Sequence, residues 1–252
     1  MLTMTIWWLA ILLEGLLLVR GFQAKLLRQY PFFYAYMLCV FATELLRFSV
    51  YRWYAADYLG VYWITQFLSL LIGSAVILEI YRVGLREFPG AARMARNLLL
   101  IVFAGVFAKA LAHPQGGILL WLAETSEVLE RNLRIVQALA ILTLVSVFLW
   151  YAIPFGRNLR GILCGYSLFI ATTVFRLDLV PYYSDIKVLW PYLQTVSYLG
   201  VLCIWAGALW SAHPVPEQNP APQLEHDYQA LAVPTRSQFQ RMLARLGWAA
   251  HL

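Results

Sequence analysis

Charged residues are scarce in this 252-residue chain, at 13% of the total, whereas 62% of the residues are hydrophobic. An ordinary soluble domain carries about 25% charged and about 45–50% apolar residues. The deficit of charge therefore indicates that lipid, and not water, surrounds most of the chain. The formal net charge of +6 does not indicate nucleic-acid binding, because the basic residues lie between apolar runs and form no basic face.

Several residue types needed for intramembrane chemistry are missing from the apolar runs. All four histidines lie outside these runs, which argues against a buried His-ligated metal or haem. No run contains an aspartate that could form an aspartyl dyad, and the last run has no lysine for a retinal Schiff base. Phosphate-binding loops, nucleophile elbows and HExxH motifs are also missing. We therefore expect no metal, no cofactor and no enzymatic activity.

Cysteine is rare as well, and the odd number of three gives no disulfide framework. Because Cys39, Cys164 and Cys203 fall inside apolar runs, we interpret them as small packing residues. The N-terminus shows no pattern of a cleavable signal peptide, since Glu14 interrupts the first apolar run. We expect that run to remain as a helix.

What the chain has in abundance is long apolar segments. A membrane-spanning helix needs about 20 mostly apolar residues, and backbone groups in lipid must be satisfied within the segment. The sequence therefore predicts an all-α bundle of seven transmembrane helices, which cover about 3–20, 31–50, 60–82, 96–112, 131–153, 159–177 and 190–212.

Proline and glycine refine this prediction. Pro31 is expected to start the second span and Pro191 to open the seventh, and no span has a proline near its middle. Unbroken spans argue against a transporter whose midplane site is built from discontinuous helices. Gly161 and Gly165 form a GxxxG pattern, which we expect to serve helix packing within the bundle.

The distribution of Lys and Arg predicts the orientation. The loops after spans one, three and five contain nine basic residues, against at most seven on the other side. By the positive-inside rule the N-terminus is outside and the C-terminus is cytoplasmic. After the membrane domain, 1–213, we expect a Pro-rich polar linker at 214–234 and a basic amphipathic helix at 235–252 that lies on the inner leaflet.

A set of polar residues in different spans is predicted to lie in the outer half of the membrane. Each charge in a bilayer costs at least about 2.5–3.5 kcal/mol, which makes it a functional hypothesis. Two interpretations stay open: the residues converge on an outer cavity for a small anionic ligand, or they form local pairs and snorkel. The candidates are Glu44, Arg47, Gln66, Lys109, Glu130, Arg131, Arg134 and Gln194, together with Arg176.

Glu14 stands apart because it lies near the middle of the first span. We expect it to be hydrogen-bonded inside the bundle, with a proton-coupled role as the alternative.

Four segments over spans two to seven resemble a family of uncharacterised bacterial seven-helix membrane proteins with no assigned activity. They are YWITQFLSLLIGSAVILEIYR (62–82), FPGAARMAR (88–96), ERNLRIVQ (130–137) and GRNLRGILCGYSLF (156–169). The resemblance implies a location in the bacterial cytoplasmic (inner) membrane.

The expected function is a non-catalytic sensing or accessory module that binds a small anionic or lipidic ligand from the outer side. Its partners would be the lipid bilayer and a cytoplasmic or membrane signalling protein, because the chain carries no output domain of its own. The alternative is a transporter or channel that uses Glu14 and Glu44.

Overall fold

The structure, a computed structural model, describes residues 2–111, 118–151, 153, 156–178, 180–182, 184–211, 226 and 230. Within these residues the fold is all-helical. A short 3-10 helix, Ala55–Asp57, joins α3 to α4, and a second, Val180–Tyr182, precedes α8. The α-helices are α1 (Leu2–Gln23), α2 (Leu26–Gln29), α3 (Pro31–Trp53), α4 (Tyr58–Gly84), α5 (Pro89–Leu111), α6 (Ile118–Trp150), α7 (Arg157–Asp178) and α8 (Ser184–Leu209).

Seven of these helices, all except the four-residue α2, are long and apolar enough to cross a membrane. The chain is therefore a multi-pass membrane protein, as its composition predicts. The predicted linker at 214–234 and tail helix at 235–252 lie outside the described residues, apart from the isolated positions 226 and 230.

Three helices begin six or more residues before the start expected from the sequence. The fourth span was expected from residue 96, but α5 begins at Pro89. The fifth span was expected from residue 131, but α6 begins at Ile118 and runs for 33 residues. The seventh span was expected to open at Pro191, but α8 begins at Ser184, so this proline lies inside the helix. Pro191 has no backbone N–H, so the carbonyl four residues earlier in α8 loses its usual intrahelical donor. Membrane helices tolerate such a proline where neighbouring groups satisfy the freed carbonyl.

The helices pack mainly as neighbours around a shared core. α7 packs against α8, α3 against α4, and α1 against both α8 and α3, while α6 lies between α4 and α7. α5 is peripheral, since it packs mainly on α4 and α6 and is the least buried span.

Glycine allows the closest of these contacts. A Cβ atom built on Gly161 would lie 1.9 Å from the Ala208 Cβ, and one built on Gly165 would lie 2.3 Å from the Trp205 Nε1. The GxxxG pattern therefore packs α7 against α8 within the chain, as expected from the sequence.

A buried carboxylate fixes the start of α3. Pro31 occupies the first turn, and the next two backbone N–H groups, of Phe32 and Phe33, donate to the Glu79 carboxylate of α4 at 3.0 and 2.8 Å. The Glu79 side chain is 1% exposed and also pairs with Arg82 at 3.3 Å. A carboxylate at this position satisfies N–H groups that no helical carbonyl can reach and complements the helix dipole.

Apolar and aromatic side chains fill the half of the bundle near this α3 N-terminus. Phe33, Met37, Ile77 and Trp205 are all fully buried there, and the rings of Phe33 and Trp205 are 5.0 Å apart. This half of the bundle is closely packed. The charged residues that line the cavity described below lie toward the opposite end, where α3 ends and α4 begins.

Candidate functional site: a charged cavity between six helices

A cavity of about 500 Å³ lies between α1, α3, α4, α6, α7 and α8, in the half of the bundle opposite the packed aromatic core. Its size falls within the about 300–1,000 Å³ typical of small-molecule sites. Six charged side chains line it: Glu14, Glu44, Arg47, Glu130, Arg134 and Arg176.

The cavity continues into a vestibule of about 520 Å³ at the end of the bundle where α3 leads into α4. Glu44 and Arg47 line both spaces, and Tyr51 and Tyr58 form an aromatic pair at the vestibule with ring centroids 5.7 Å apart. A ligand that enters between these helix ends would therefore meet Glu44 and Arg47 before the deeper charges.

Two carboxylates line the side of the cavity formed by α1 and α3. Tyr198 of α8 donates to Glu14 Oε1 at 2.5 Å, and Trp7 donates to Glu44 Oε2 at 2.8 Å. Among the described residues, no basic group lies within 4.0 Å of either carboxylate. Glu14 is 1% exposed, and its Oε2 atom has no hydrogen-bond partner. We call this pair, Glu14 and Glu44, the acidic pole.

Arg47 lies one turn beyond Glu44 on α3 and donates hydrogen bonds only to neutral groups of α4. Its guanidinium donates to Thr65 Oγ1 at 2.8 Å, to the Tyr62 carbonyl at 3.3 Å and to Gln66 Oε1 at 3.4 Å. It also lies 4.6 Å from the centre of the Tyr62 ring. The described residues place no carboxylate in ion-pair contact with Arg47, so it does not form a local ion pair with Glu44.

Glu130 holds two arginines from different helices. Arg176 of α7 donates to its Oε2 atom at 2.9 Å, and Arg134, one turn further along α6, lies 3.9 Å from its Oε1 atom. Gln66 of α4 donates to the same carboxylate at 3.3 Å. This group joins three helices and retains one net positive charge. Together with Arg47 it forms the basic pole of the cavity.

Arg134 is the most deeply placed of these cations, at 4% exposure. Its Nη1 donates to Gln137 Oε1 at 2.9 Å, and its guanidinium lies 4.7 Å from the centre of the Phe169 ring. Its Nε, however, has no hydrogen-bond partner. Gln137 Nε2 in turn donates to Ser74 Oγ of α4 at 3.5 Å.

Aromatic rings lie between Glu14 and the arginines of α6 and α7. Phe169 contacts Arg134 on one side and lies 6.4 Å from the Tyr198 ring, which belongs to the acidic pole. Tyr36 contacts Phe169 and also Tyr166, whose hydroxyl donates to the Gly73 carbonyl at 2.7 Å. These rings keep the guanidinium groups of α6 and α7 apart from Glu14.

The structure brings most of the sequence-predicted residues into this cavity, namely Glu44, Arg47, Gln66, Glu130, Arg134, Gln194 and, from the separate prediction, Glu14. Gln194 lies at the rim, where it accepts a hydrogen bond from Trp190 at 3.0 Å.

Two predicted residues do not join them. Lys109 is exposed on the peripheral helix α5. Arg131 points away from the cavity, where it pairs with Asp178 at 2.5 Å and has a side chain that is 56% exposed. Without these two cations, three acidic and three basic side chains line the cavity.

Sequence reasoning missed the uncharged lining. Tyr36, Tyr198 and Trp7 were not selected, because tyrosine and tryptophan in an apolar run are ordinary membrane residues. Only the helix pairing reveals that Tyr198 meets Glu14, which is 184 residues away in the chain.

Comparison with protein-family models, with curated proteins and with solved structures finds no match for this chain. The resemblance of four segments to a bacterial family is therefore not supported by a matching family or relative. The seven apolar helices agree with a membrane protein of that general kind.

Proposed function

We propose that this protein is a non-catalytic binding module of a bacterial inner membrane, which senses a small ligand or assists a membrane partner. The ligand carries an anionic group and enters the cavity through the vestibule. The observation that carries this proposal is the Arg47 guanidinium, which lines both spaces and binds only neutral groups.

A partly buried guanidinium that a ligand can reach, as Arg47 is here, is a common device for binding carboxylates and phosphates, because its planar donors match two oxygens at once. Arg134 adds an unpartnered Nε to the same cavity, and Arg176 contributes a side chain that is 34% exposed. An incoming anion would satisfy the guanidinium of Arg47, which has no carboxylate partner among the described residues, and would add to the partial neutralisation that Glu130 gives Arg134 and Arg176.

The packed half of the bundle favours binding over transport. Met37, Ile77, Phe33 and Trp205 are fully buried in the half of the bundle beyond the cavity. A transporter or channel that used Glu14 and Glu44 would require these side chains to separate. A binding module requires no such rearrangement.

The test is calorimetric titration of the purified protein in lipid nanodiscs with ethyl phosphate and with propionate. We expect saturable binding of at least one anion and a loss of about 10-fold or more in affinity for Arg47→Gln, because hydrogen bonds to charged groups contribute about 1.5–3 kcal/mol. Arg131→Gln is the matched control, since Arg131 lies outside the cavity and should leave binding unchanged.

Absence of saturable binding for both anions would refute the proposal. Accumulation of a bound anion inside proteoliposomes, abolished by Glu14→Gln, would replace it with the transporter function.

A further inference from the structure

The cavity is dipolar, and this deepens the proposed function by specifying the ligand. We infer that the ligand is a small zwitterion, whose ammonium group binds between Glu14 and Glu44 while its anionic group binds Arg47 and the arginines of α6 and α7. This inference rests on the proposed anion site and adds a second, cationic requirement to it.

The acidic pole is the evidence for that requirement. Glu14 and Glu44 line one cavity, and neither has a cationic partner among the described residues. Each receives one hydrogen bond from an aromatic residue, and the Glu14 Oε2 remains unpartnered although the residue is 1% exposed. A buried carboxylate oxygen without a donor is costly, and an ammonium group supplies the missing donors.

The rings around this pole suit an ammonium group as well. Tyr198 and Trp7 contact the two carboxylates, and both belong to the cavity lining. Aromatic faces attract cations by about 0.5–2 kcal/mol, and they accept methylated as well as primary ammonium groups. A purely anionic ligand would gain nothing from these groups and would be repelled by the two acids.

Charge balance supports the same conclusion. The acidic pole contributes two carboxylates without a basic partner among the described residues, whereas Arg47 and the group around Glu130 contribute two net positive charges. Phe169 lies between Arg134 and Tyr198, and Arg47 binds neutral groups of α4, so the described residues form no ion pair between the two sets of charges. A ligand with opposite charges at its two ends would neutralise both poles at the same time.

This chemistry occurs both in free solutes, such as amino acids and phosphoethanolamine, and in the head group of a zwitterionic lipid. Matched probes separate the ammonium from the anion. Phosphoethanolamine and ethyl phosphate differ by one ammonium group, as do β-alanine and propionate. All four are titrated into the full chain in nanodiscs made only of anionic phosphatidylglycerol. A further pair, dihexanoyl phosphatidylethanolamine and dihexanoyl phosphatidic acid, tests the lipid head group.

We expect the zwitterion of at least one pair to bind more tightly than its anionic counterpart, by about 10-fold or more. This is the gain in affinity expected from one additional hydrogen bond between charged groups. Glu44→Gln should remove this preference and leave binding of the bare anion unchanged or stronger. Glu14→Gln should act in the same direction, and Glu87→Gln, an exposed acid on the loop before α5, serves as the control. Preference within the lipid pair alone would assign the head group as the ligand, and preference within a soluble pair would assign a free solute.

Equal binding of zwitterion and anion in every pair would overturn the inference while leaving the anion site intact. So would a Glu44→Gln variant that binds both members of a pair equally weakly, since that pattern indicates a structural role. Failure of every probe would refute the anion site as well.

Discussion

Glu130 is the residue on which the cavity wall depends most, because it neutralises cations from two helices. Arg134 and Arg176 have no other carboxylate in contact among the described residues. Membrane helices tolerate buried charges when these pair with each other, and Glu130 meets that condition for both arginines.

We therefore expect Glu130→Gln to lower the free energy of unfolding by about 3–5 kcal/mol, the range for breaking a buried pair. Arg131→Gln removes a neighbouring pair that is largely exposed and should cost about 1 kcal/mol or less. Denaturant unfolding in nanodiscs measures both. Equal losses for the two variants would show that the Glu130 group is not buried as described.

The same geometry predicts which residues act independently. Glu44 binds Trp7, and Arg134 binds Glu130 and Gln137, so the two side chains share no partner. The stability losses of Glu44→Ala and Arg134→Ala should add to within about 0.3–0.5 kcal/mol in the double variant. A coupling above about 1 kcal/mol would place these residues in direct contact.

At the scale of the helix, Glu79 shows how one side chain sets where an element begins. It accepts the two N–H groups that follow Pro31, which would otherwise lie unsatisfied in a buried position. Glu79→Gln can accept only at its carbonyl oxygen and loses the charge that complements the helix dipole.

We expect Glu79→Gln to destabilise the protein by about 1–3 kcal/mol, the cost of a poorly satisfied buried donor. Glu87→Gln, nearby in sequence but exposed, should change stability by less than about 0.5 kcal/mol. Thermal unfolding followed by circular dichroism tests the pair. An unaffected Glu79→Gln variant would mean that water or another group satisfies the start of α3.

The contact between α7 and α8 makes a second prediction at this scale. Gly161→Ala places a methyl group against Ala208 and should cost about 1–3 kcal/mol through overpacking. Gly200→Ala, on α8 with open space at its Cβ, should be neutral or stabilising by up to about 1 kcal/mol. Thermal unfolding of the two variants and the wild type measures these changes in stability. A Gly161→Ala variant with unchanged stability would indicate that α7 and α8 lie further apart than described.

These helices also show what the sequence could and could not predict. Seven spans follow from apolar length alone, because each helix in lipid satisfies its own backbone. Helix boundaries follow less directly: α6 extends back to Ile118 through a segment that contains several charged residues, which a count of apolar residues assigns to a loop. Whether a side chain lines the cavity depends on how its helix is rotated. Arg134 is buried and Arg131 is exposed for this reason, although both were expected to line the cavity.

For the whole molecule, the charged cavity lies at one end of the bundle, and the packed aromatic core lies at the other. Glu79 was missed by the sequence reasoning because it lies near a helix end, while its role in the fold depends on α3. The acidic pole likewise depends on three helices, α1, α3 and α8, that are distant in the chain. Pairings between distant segments carry no local signal in a single sequence.

The orientation of the bundle in the membrane decides which compartment supplies the ligand. The distribution of Lys and Arg among the loops predicts this orientation. The vestibule lies beside the connection Ala55–Asp57, and Arg82 and Arg86 lie on the opposite end of α4. The excess of basic loop residues predicts that this opposite end is cytoplasmic. In a variant with its three native cysteines replaced by serine, Asp57→Cys should react with a membrane-impermeant maleimide added to intact cells. Glu87→Cys should react only after the membrane is permeabilised, since it lies in the loop between α4 and α5. The reverse pattern would turn the vestibule toward the cytoplasm, and the ligand would then be an intracellular zwitterion.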